Sequence, residues 1–419
     1  MSRRRGVGMS AGGPAGDSAA RRYATDGTPY IVAGTLVASL GVVAFQVIGG
    51  RSLGPEGFDP VTALLTVHFL VFTVLLLPVE QFEVRRVTLG LTGGGVLVTA
   101  VVVAGSIGVA TFVLLTRHRY FEGDAWYVAI ALVSVVSHTV MAVGRGRLAG
   151  ARRFRAYGLV SGAVAMVRLA LALVVVAVAA SGPGFGWALA LAGFVTLAWR
   201  PFGRTPRGVE RVERAGRFLG GFVLAAAASQ VLLLAAPLAV RLLDSEPGLM
   251  SVVFVTFQVF RAPIVVVQNL LARLLPPFTT LAATGRGREL GAWATRFGWG
   301  GVAAAVPAAA LSALFGPAVI GLLFGEGFTP SAGVAAAAAA GMVLASAALL
   351  AGQVLVAAGR TGALAASWLA GLVVAAAALP AVRGGADLRV TMAFALGEAA
   401  ALAATVVAAR RSDGTGVAA

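Results

Sequence analysis

The sequence predicts an all-α polytopic membrane protein, with about twelve transmembrane helices in two six-helix lobes around a central cavity. Of its 419 residues 58% are hydrophobic and only 12% charged, and the mean hydropathy is +0.90, far from a soluble domain. A bilayer crossing needs about 20 predominantly apolar residues in a helix, and runs of that kind recur twelve times. The longest basic loop, Arg200–Arg217, follows the sixth run and leaves six on either side.

Residues 1–29 are polar, Gly/Ala/Ser-rich and basic (Arg3, Arg4, Arg5, Arg21, Arg22). No short apolar core with a cleavage site follows those arginines, so the segment reads as a disordered cytoplasmic tail rather than an export signal. The first lobe, residues 30–199, holds Tyr30–Ile48, Val61–Leu77, Gly95–Leu115, Trp126–Val143, Leu159–Ala180 and Phe185–Trp199. Residues 200–217 form the inter-lobe loop. The second lobe, residues 218–408, holds Phe218–Ala239, Ser251–Leu271, Phe297–Leu314, Ala332–Ala351, Ala363–Ala378 and Val390–Ala408, with Ile320–Leu323 as a half-buried extension. Residues 409–419 form a second cytoplasmic tail. The halves echo one another: Arg51-Ser-Leu-Gly-Pro-Glu-Gly-Phe after the first span resembles Arg241-Leu-Leu-Asp-Ser-Glu-Pro-Gly-Leu after the seventh, as in parallel-repeat transporters. Pro237, Pro263 and Pro307 lie inside spans, where each removes a backbone donor and favours a kink. Trp126, Trp187, Trp199, Trp293 and Trp299 fall near span ends, where indole rings anchor at the membrane interface.

All 33 basic residues are arginine. With the N-terminus inside, 25 of them fall in inner segments, six in outer loops (Arg51, Arg117, Arg119, Arg241, Arg383, Arg389) and two, Arg168 and Arg261, within spans. That asymmetry places both termini in the cytoplasm. It also explains the net charge of +16 without nucleic acid, because the charge sits in short loops beside the membrane. Anionic lipid headgroups at the cytoplasmic face are the expected partner.

There is no cysteine, so disulfides and thiol chemistry are excluded. His68, His118 and His138 lack metal-ligand spacing, no GxxxxGK[ST] loop is present, and no catalytic constellation emerges. Neither a metal nor a cofactor is expected, and the chain does not read as an enzyme.

One stretch sets the functional question. Ser251–Pro277 is long enough to cross a bilayer yet carries Arg261 near its middle and Pro263 two residues later. An arginine at that depth costs roughly 2.5–3.5 kcal/mol on insertion scales, so it should face protein or water. Gln258, Arg261, Gln268 and Asn269 fall within an arc of about 100°, and a polar stripe on a spanning helix implies a wet cavity. In the fifth span Tyr157, Ser161, Ala165 and Arg168 form a second track, within about 80° of one another. Acidic residues are few: Glu398 lies mid-span, and Glu80 and Glu83 follow the second span one turn apart.

Several local patterns resemble one family. Gly50-Arg51-Ser52-Leu53-Gly54-Pro55-Glu56-Gly57-Phe58 is similar to the (A/G)R-x-LGPE-x-(F/Y) signature after helix one of polysaccharide flippases. Leu322-Leu323-Phe324-Gly325-Glu326-Gly327-Phe328 resembles their LLFGE-x-F element before helix ten, and Gln353–Arg360 their Q-x-L-x-A-x-G-(R/K) end to that helix. In that order the motifs resemble the multidrug/oligosaccharidyl-lipid/polysaccharide (MOP) exporter superfamily, specifically its O-antigen-flippase-like polysaccharide-biosynthesis branch. The segment Leu77–Arg86 departs from it in being more charged.

The resemblance implies two lobes forming a V-shaped cavity in a bacterial cell membrane. It also implies alternating-access transfer of a polyprenyl-pyrophosphate-linked oligosaccharide from inner to outer leaflet, alongside glycosyltransferases and a polymerase. A pyrophosphate needs cationic donors, and the planar guanidinium suits its oxygens. Arg261, Arg168, Gln258, Gln268 and Tyr157 are the headgroup candidates. The competing reading has each arginine paired with a buried carboxylate or carbonyls to fix helix packing. Glu398, Glu80 and Glu83 are the gating or ion-coupling candidates, with ion pairing to Arg85, Arg86 or an intramembrane arginine as the alternative. Two other functions stay open: a cation-coupled multidrug exporter of the same superfamily, and an integral-membrane glycosyltransferase or polymerase, which the short outer loops disfavour.

Overall fold

A computed structural model describes residues 28–88, 95–202, 224, 226–244 and 246–411, apart from the side chains of 97, 262, 263, 265, 266, 268–273 and 276. A helical run from Thr28 to Val71 contains one non-helical residue, Gly54, at φ 70° and ψ 174°. Glycine tolerates positive φ because it has no Cβ, and the following Pro55 disfavours helical geometry at position 54. The run continues through a π-helical turn, Phe72–Leu76, into Leu77–Thr88. The 60 residues from Pro29 to Thr88 would measure roughly 90 Å as one straight helix, about three hydrocarbon thicknesses. Gly54 therefore divides two passes, α1 (28–53) and α2 (55–88). The stretch Gly50–Phe58, expected as an outer loop, is helical on either side of a one-residue break.

The next helices are α3 (Gly95–Tyr120), α4 (Trp126–Gly150), α5 (Phe154–Val178) and α6 (Gly182–Ala192), the last running into a 3-10 segment, Gly193–Trp199. Most of the inter-lobe loop lies outside the described residues. Helix α7 comprises Ala226–Leu234 and Ala236–Leu243, bent by 55°. Pro237 sits in the first turn of the second piece, where a missing N–H costs least. Helix α8 comprises Leu249–Phe260 and Ala262–Ala283, which meet at Arg261. The expected continuous span Ser251–Leu271 is thus broken at its arginine, because Pro263 cannot donate back into the preceding turn. Helix α9, Gly287–Phe324, is 38 residues long, stays helical through Pro307 and absorbs Ile320–Leu323. Helices α10 (Ala332–Ala357), α11 (Thr361–Ala381) and α12 (Ala386–Arg410) complete the chain.

Among the described residues, nine helices are long and apolar enough to cross a membrane, and the bent α7 pair makes ten. Dividing the first run at Gly54 and joining the two pieces of α8 gives the twelve passes of a multi-pass membrane protein. Leu40, Val96, Leu314 and Val373 are each more than two-thirds exposed, as side chains facing lipid would be. Trp126 and Trp299 are 62% and 70% exposed, whereas Trp368 is buried.

Small residues set the helix spacing. A Cβ on Gly34 would lie 2.1 Å from the Gly158 carbonyl oxygen, and one on Gly158 2.1 Å from that of Tyr30, so α1 and α5 touch backbone to backbone. Gly371 and Gly397 let α11 and α12 approach closely too, with a Cβ on Gly371 falling 2.7 Å from the Gly397 carbonyl oxygen. One buried cluster joins Phe45, Phe58, Phe121 and Phe185 to Phe254, Phe324 and Phe328; another runs through Leu233, Phe257, Met342, Trp368 and Leu402.

Candidate functional site

Arg261 occupies the joint of α8. Its backbone (φ −76°, ψ −10°) closes the first piece and opens the second, with its N–H only 3.4 Å from the Gln258 carbonyl. The side chain lines a crevice with Thr66 and Phe69 of α2, Leu233, Leu234 and Pro237 of α7, Phe254, Phe257 and Gln258 of α8, and Met342 of α10. The guanidinium lies 5.9 Å from the centre of the Phe69 ring. Among the described residues no carboxylate comes within salt-bridge distance. Gln258 shares the crevice, as the stripe predicted, whereas the Gln268 and Asn269 side chains lie outside the described residues.

Arg168 lies elsewhere. It is 6% exposed, inside the packing of α1, α4 and α5, and it also has no carboxylate partner among the described residues. Its Nη2 faces the Nε2 of His138 at 3.4 Å and its guanidinium lies 5.9 Å from the Phe45 ring centre, while its Nε has no hydrogen-bond partner among the described residues. His138 is fully buried and places Nδ1 2.9 Å from the Ser134 carbonyl oxygen. Donation from Nδ1 to that carbonyl leaves Nε2 as the acceptor for arginine. The His68 ring packs edge-on against His138 at 4.2 Å, and its Nδ1 meets the Ser134 hydroxyl at 3.3 Å. A polar spine therefore runs from α5 through α4 to α2. His68 and Phe69 are consecutive on α2 and point about 100° apart, Phe69 towards Arg261 and His68 towards His138. The two intramembrane arginines do not share a crevice.

Tyr157 joins a third group at the end of the bundle that holds Thr88 and residues 150–154. Its hydroxyl donates to Glu80 Oε1 at 3.0 Å and lies 2.5 Å from Nη2 of Arg145, which itself stands 3.3 Å from Glu80. One turn on, Glu83 accepts from Arg86 at 2.6 Å and from Arg147 at 3.3 Å. Arg86 is thus a partner as expected, but Glu80 is met by Arg145 from α4. Eleven residues separate Tyr157 from Arg168, roughly 16 Å along the helix, so their common face does not make one site. Glu398 is fully buried on α12, and neither carboxylate oxygen has a partner among the described residues. The expected pairing of Glu398 with an intramembrane arginine is not made. On α1 both amide atoms of the buried Gln46 are likewise unpartnered.

The roles of His68, His138, Ser134 and Arg145 were not legible in the sequence. The rule that flagged the two arginines, polar groups at membrane depth, covers the histidines equally. Metal-ligand spacing is not the signal that finds them, because they pair with an arginine and a serine instead.

No protein-family model matches the chain, and no curated protein sequence does. Solved structures do match. An inward-facing multidrug-resistance MATE family transporter of the MOP superfamily aligns with a TM-score of 0.69, covering 90% of this chain and 94% of its own, at 13% identity. The lipid II flippase MurJ in an inward closed conformation gives 0.66, covering 91% and 87%, at 11% identity. A MOP superfamily transporter from Pyrococcus furiosus, for which a reverse polarity of the binding pocket suggests a different function, gives 0.64, covering 92% and 95%, at 13% identity. At such identities the shared property is the fold.

Proposed function

We propose that this chain, which has the fold of the MOP superfamily transporters, moves a polyprenyl-pyrophosphate-linked oligosaccharide from the inner to the outer leaflet by alternating access, for cell-surface polysaccharide export. The observation that carries the reading is Arg261: a guanidinium without a carboxylate partner among the described residues, held where α8 is broken, in a crevice shared by α2, α7, α8 and α10. An unpaired arginine at membrane depth is costly, and a phosphate-bearing ligand would supply its missing charge. Gln258 beside it can donate to the same oxygens.

In this reading both termini are cytoplasmic, as the 25-to-6 arginine asymmetry favours. The basic inner loops bind anionic lipid and draw in the headgroup while the polyprenyl tail stays in the bilayer. The two lobes, residues 30–199 and 218–408, then rock about the seam, with glycosyltransferases upstream and a polymerase downstream. Glu398 is the candidate for ion coupling, since neither carboxylate oxygen has a hydrogen-bond partner among the described residues. Tyr157, Glu80 and Glu83 brace the cytoplasmic end rather than meeting the headgroup, and Arg168 reaches it only if the spine rearranges. The likeness to MATE transporters favours a second reading, a cation-coupled multidrug exporter. It would call for a carboxylate in the core of the first lobe, where α1 carries Gln46.

With Arg261→Ala as the only copy, lipid-linked glycan should accumulate on the inner leaflet. Normal export in that strain removes Arg261 from the mechanism. Drug extrusion that persists in proteoliposomes without glycan transfer selects the second reading.

A further inference from the structure

The two most recognisable motifs, Gly50–Phe58 and Leu322–Phe328, meet in space without touching Arg261. Arg51, at the end of α1, donates from Nε to the Leu323 carbonyl at 2.8 Å and from Nη2 to that of Leu322 at 2.5 Å. These are last-turn carbonyls of α9, which have no partner within their own helix. The Phe58 ring packs edge-on against Phe328 at 6.3 Å, and a Cβ on Gly50 would sit 3.2 Å from both Phe324 and Phe328.

The pattern repeats at the same end of the bundle. Arg119, at the end of α3, donates to the Arg241 carbonyl at 2.8 Å and to the Leu242 carbonyl at 2.9 Å, in the last turn of α7. Arg241 Nε returns a bond to the Arg119 carbonyl at 3.1 Å. The start of α8 has Gly248 at its N-cap (φ 83°), which offers no side chain. Asp59 of α2 takes that role, accepting from the N–H groups of Gly248 at 2.8 Å and Ser251 at 3.0 Å. Three helix ends after residue 236 are therefore capped by charged side chains from before residue 120. Each sign suits its helix dipole, arginine at carbonyl ends and aspartate at an N–H end.

We propose that Arg51 and Arg119 are a clasp that holds this end of the transporter shut, and that the two motifs are its opposing faces. Both arginines are exposed and, among the described residues, donate there to backbone carbonyls, so water can replace their partners when the halves part. Such contacts hold one state without locking it, as a two-state element must. The proposal takes from the preceding reading only that the two halves part at this end during transport.

The chain has no cysteine, so labels can be placed directly. Nitroxides at Glu56→Cys and Glu246→Cys, which border one crevice across the seam, report opening by double electron–electron resonance in nanodiscs. A second pair, Glu56→Cys with Glu122→Cys, lies within the first half and reports its integrity. We expect a single short distance across the seam in the parent. In Arg51→Gln/Arg119→Gln a longer population should rise severalfold, with the control pair unchanged. A seam distance unmoved in that double variant, with the control intact, overturns the clasp. If the control pair broadens, oxidising Glu56→Cys/Glu246→Cys with both arginines present decides: reversible arrest of transport supports the closure, and undiminished transport refutes it. The resonance arms need no substrate, so they stand or fall independently of Arg261.

Discussion

Replacing Glu80 by alanine tests whether the Glu80–Tyr157–Arg145 group behaves as a buried ion pair. Glu80 is 2% exposed and takes bonds from Tyr157 at 3.0 Å and from Arg145 at 3.3 Å, whereas the Arg145 side chain is 19% exposed. Removing one partner of a buried pair costs about 3–5 kcal/mol because the other charge is left uncompensated. The partial exposure of Arg145 puts Glu80→Ala at the lower end, about 3 kcal/mol. Unfolding entropy near 2.1 cal/mol/K per residue converts this over the 419-residue chain to a fall in Tm of roughly 3 °C. Glu80→Gln keeps an acceptor for Tyr157 and should lose about half as much. Adding Arg145→Met to Glu80→Ala should recover most of the loss, since the stranded charge goes with it.

The assay is thermal unfolding in detergent followed by tryptophan fluorescence. An internal standard is Glu289→Ala, which breaks the Arg286–Glu289 pair at 2.5 Å, a shorter contact with both side chains about half exposed. That change should cost well under about 1 kcal/mol, as exposed pairs do. Equal shifts for Glu80→Ala and Glu289→Ala would refute the reasoning, because burial and not distance is what separates the two.

Other substitutions probe the remaining groups. Gly34→Ala puts a methyl 2.1 Å from the Gly158 carbonyl oxygen and must push α1 from α5, at about 1–3 kcal/mol by the same melts, with Gly34→Leu unable to assemble. His138→Ala removes a side-chain acceptor that meets Arg168 and should lower Tm, whereas His138→Ala/Arg168→Met should melt nearer the parent. Glu398→Gln loses no hydrogen bond among the described residues and should leave Tm unchanged, while proteoliposome transport should lose its dependence on an ion gradient. A destabilised Glu398→Gln would mean that the carboxylate has a structural duty instead.

Helix number was legible because hydrophobic length acts along the chain, one segment at a time, whereas many helices outrun the apolar runs that marked them, α9 spanning Gly287–Phe324 against an expected Phe297–Leu314. Gly54-Pro55 and Pro263 could be located as breaks for the same reason: proline acts on its own turn. Partners were not legible. Glu80 finds Arg145 65 residues away, and Arg168 finds His138 on the preceding helix, through spacings that depend on how α2, α4 and α5 rotate. Tyr157 and Arg168 share a helical face, yet α4 offers Arg145 to one and His138 to the other.

The contrast between the two intramembrane arginines follows from backbone rather than side chain. Both lack a carboxylate partner among the described residues, and neither differs from the other in sequence by more than its neighbours. Arg168 lies in the unbroken helix α5, which packs closely on α1 at Gly158, and its guanidinium meets His138 and Phe45 inside the bundle. Arg261 lies where Pro263 ends helical hydrogen bonding, so its side chain leaves at a joint and borders a crevice. Moving the break should therefore move the function. Pro263→Ala should restore the missing N–H and let α8 run straight through Arg261. If the joint is what presents Arg261, that variant should fold, melt no lower than the parent and still lose the proposed glycan export, as is expected of Arg261→Ala. Export at the parental rate from a straightened α8 would show that the charge alone suffices and that its placement at the joint is incidental.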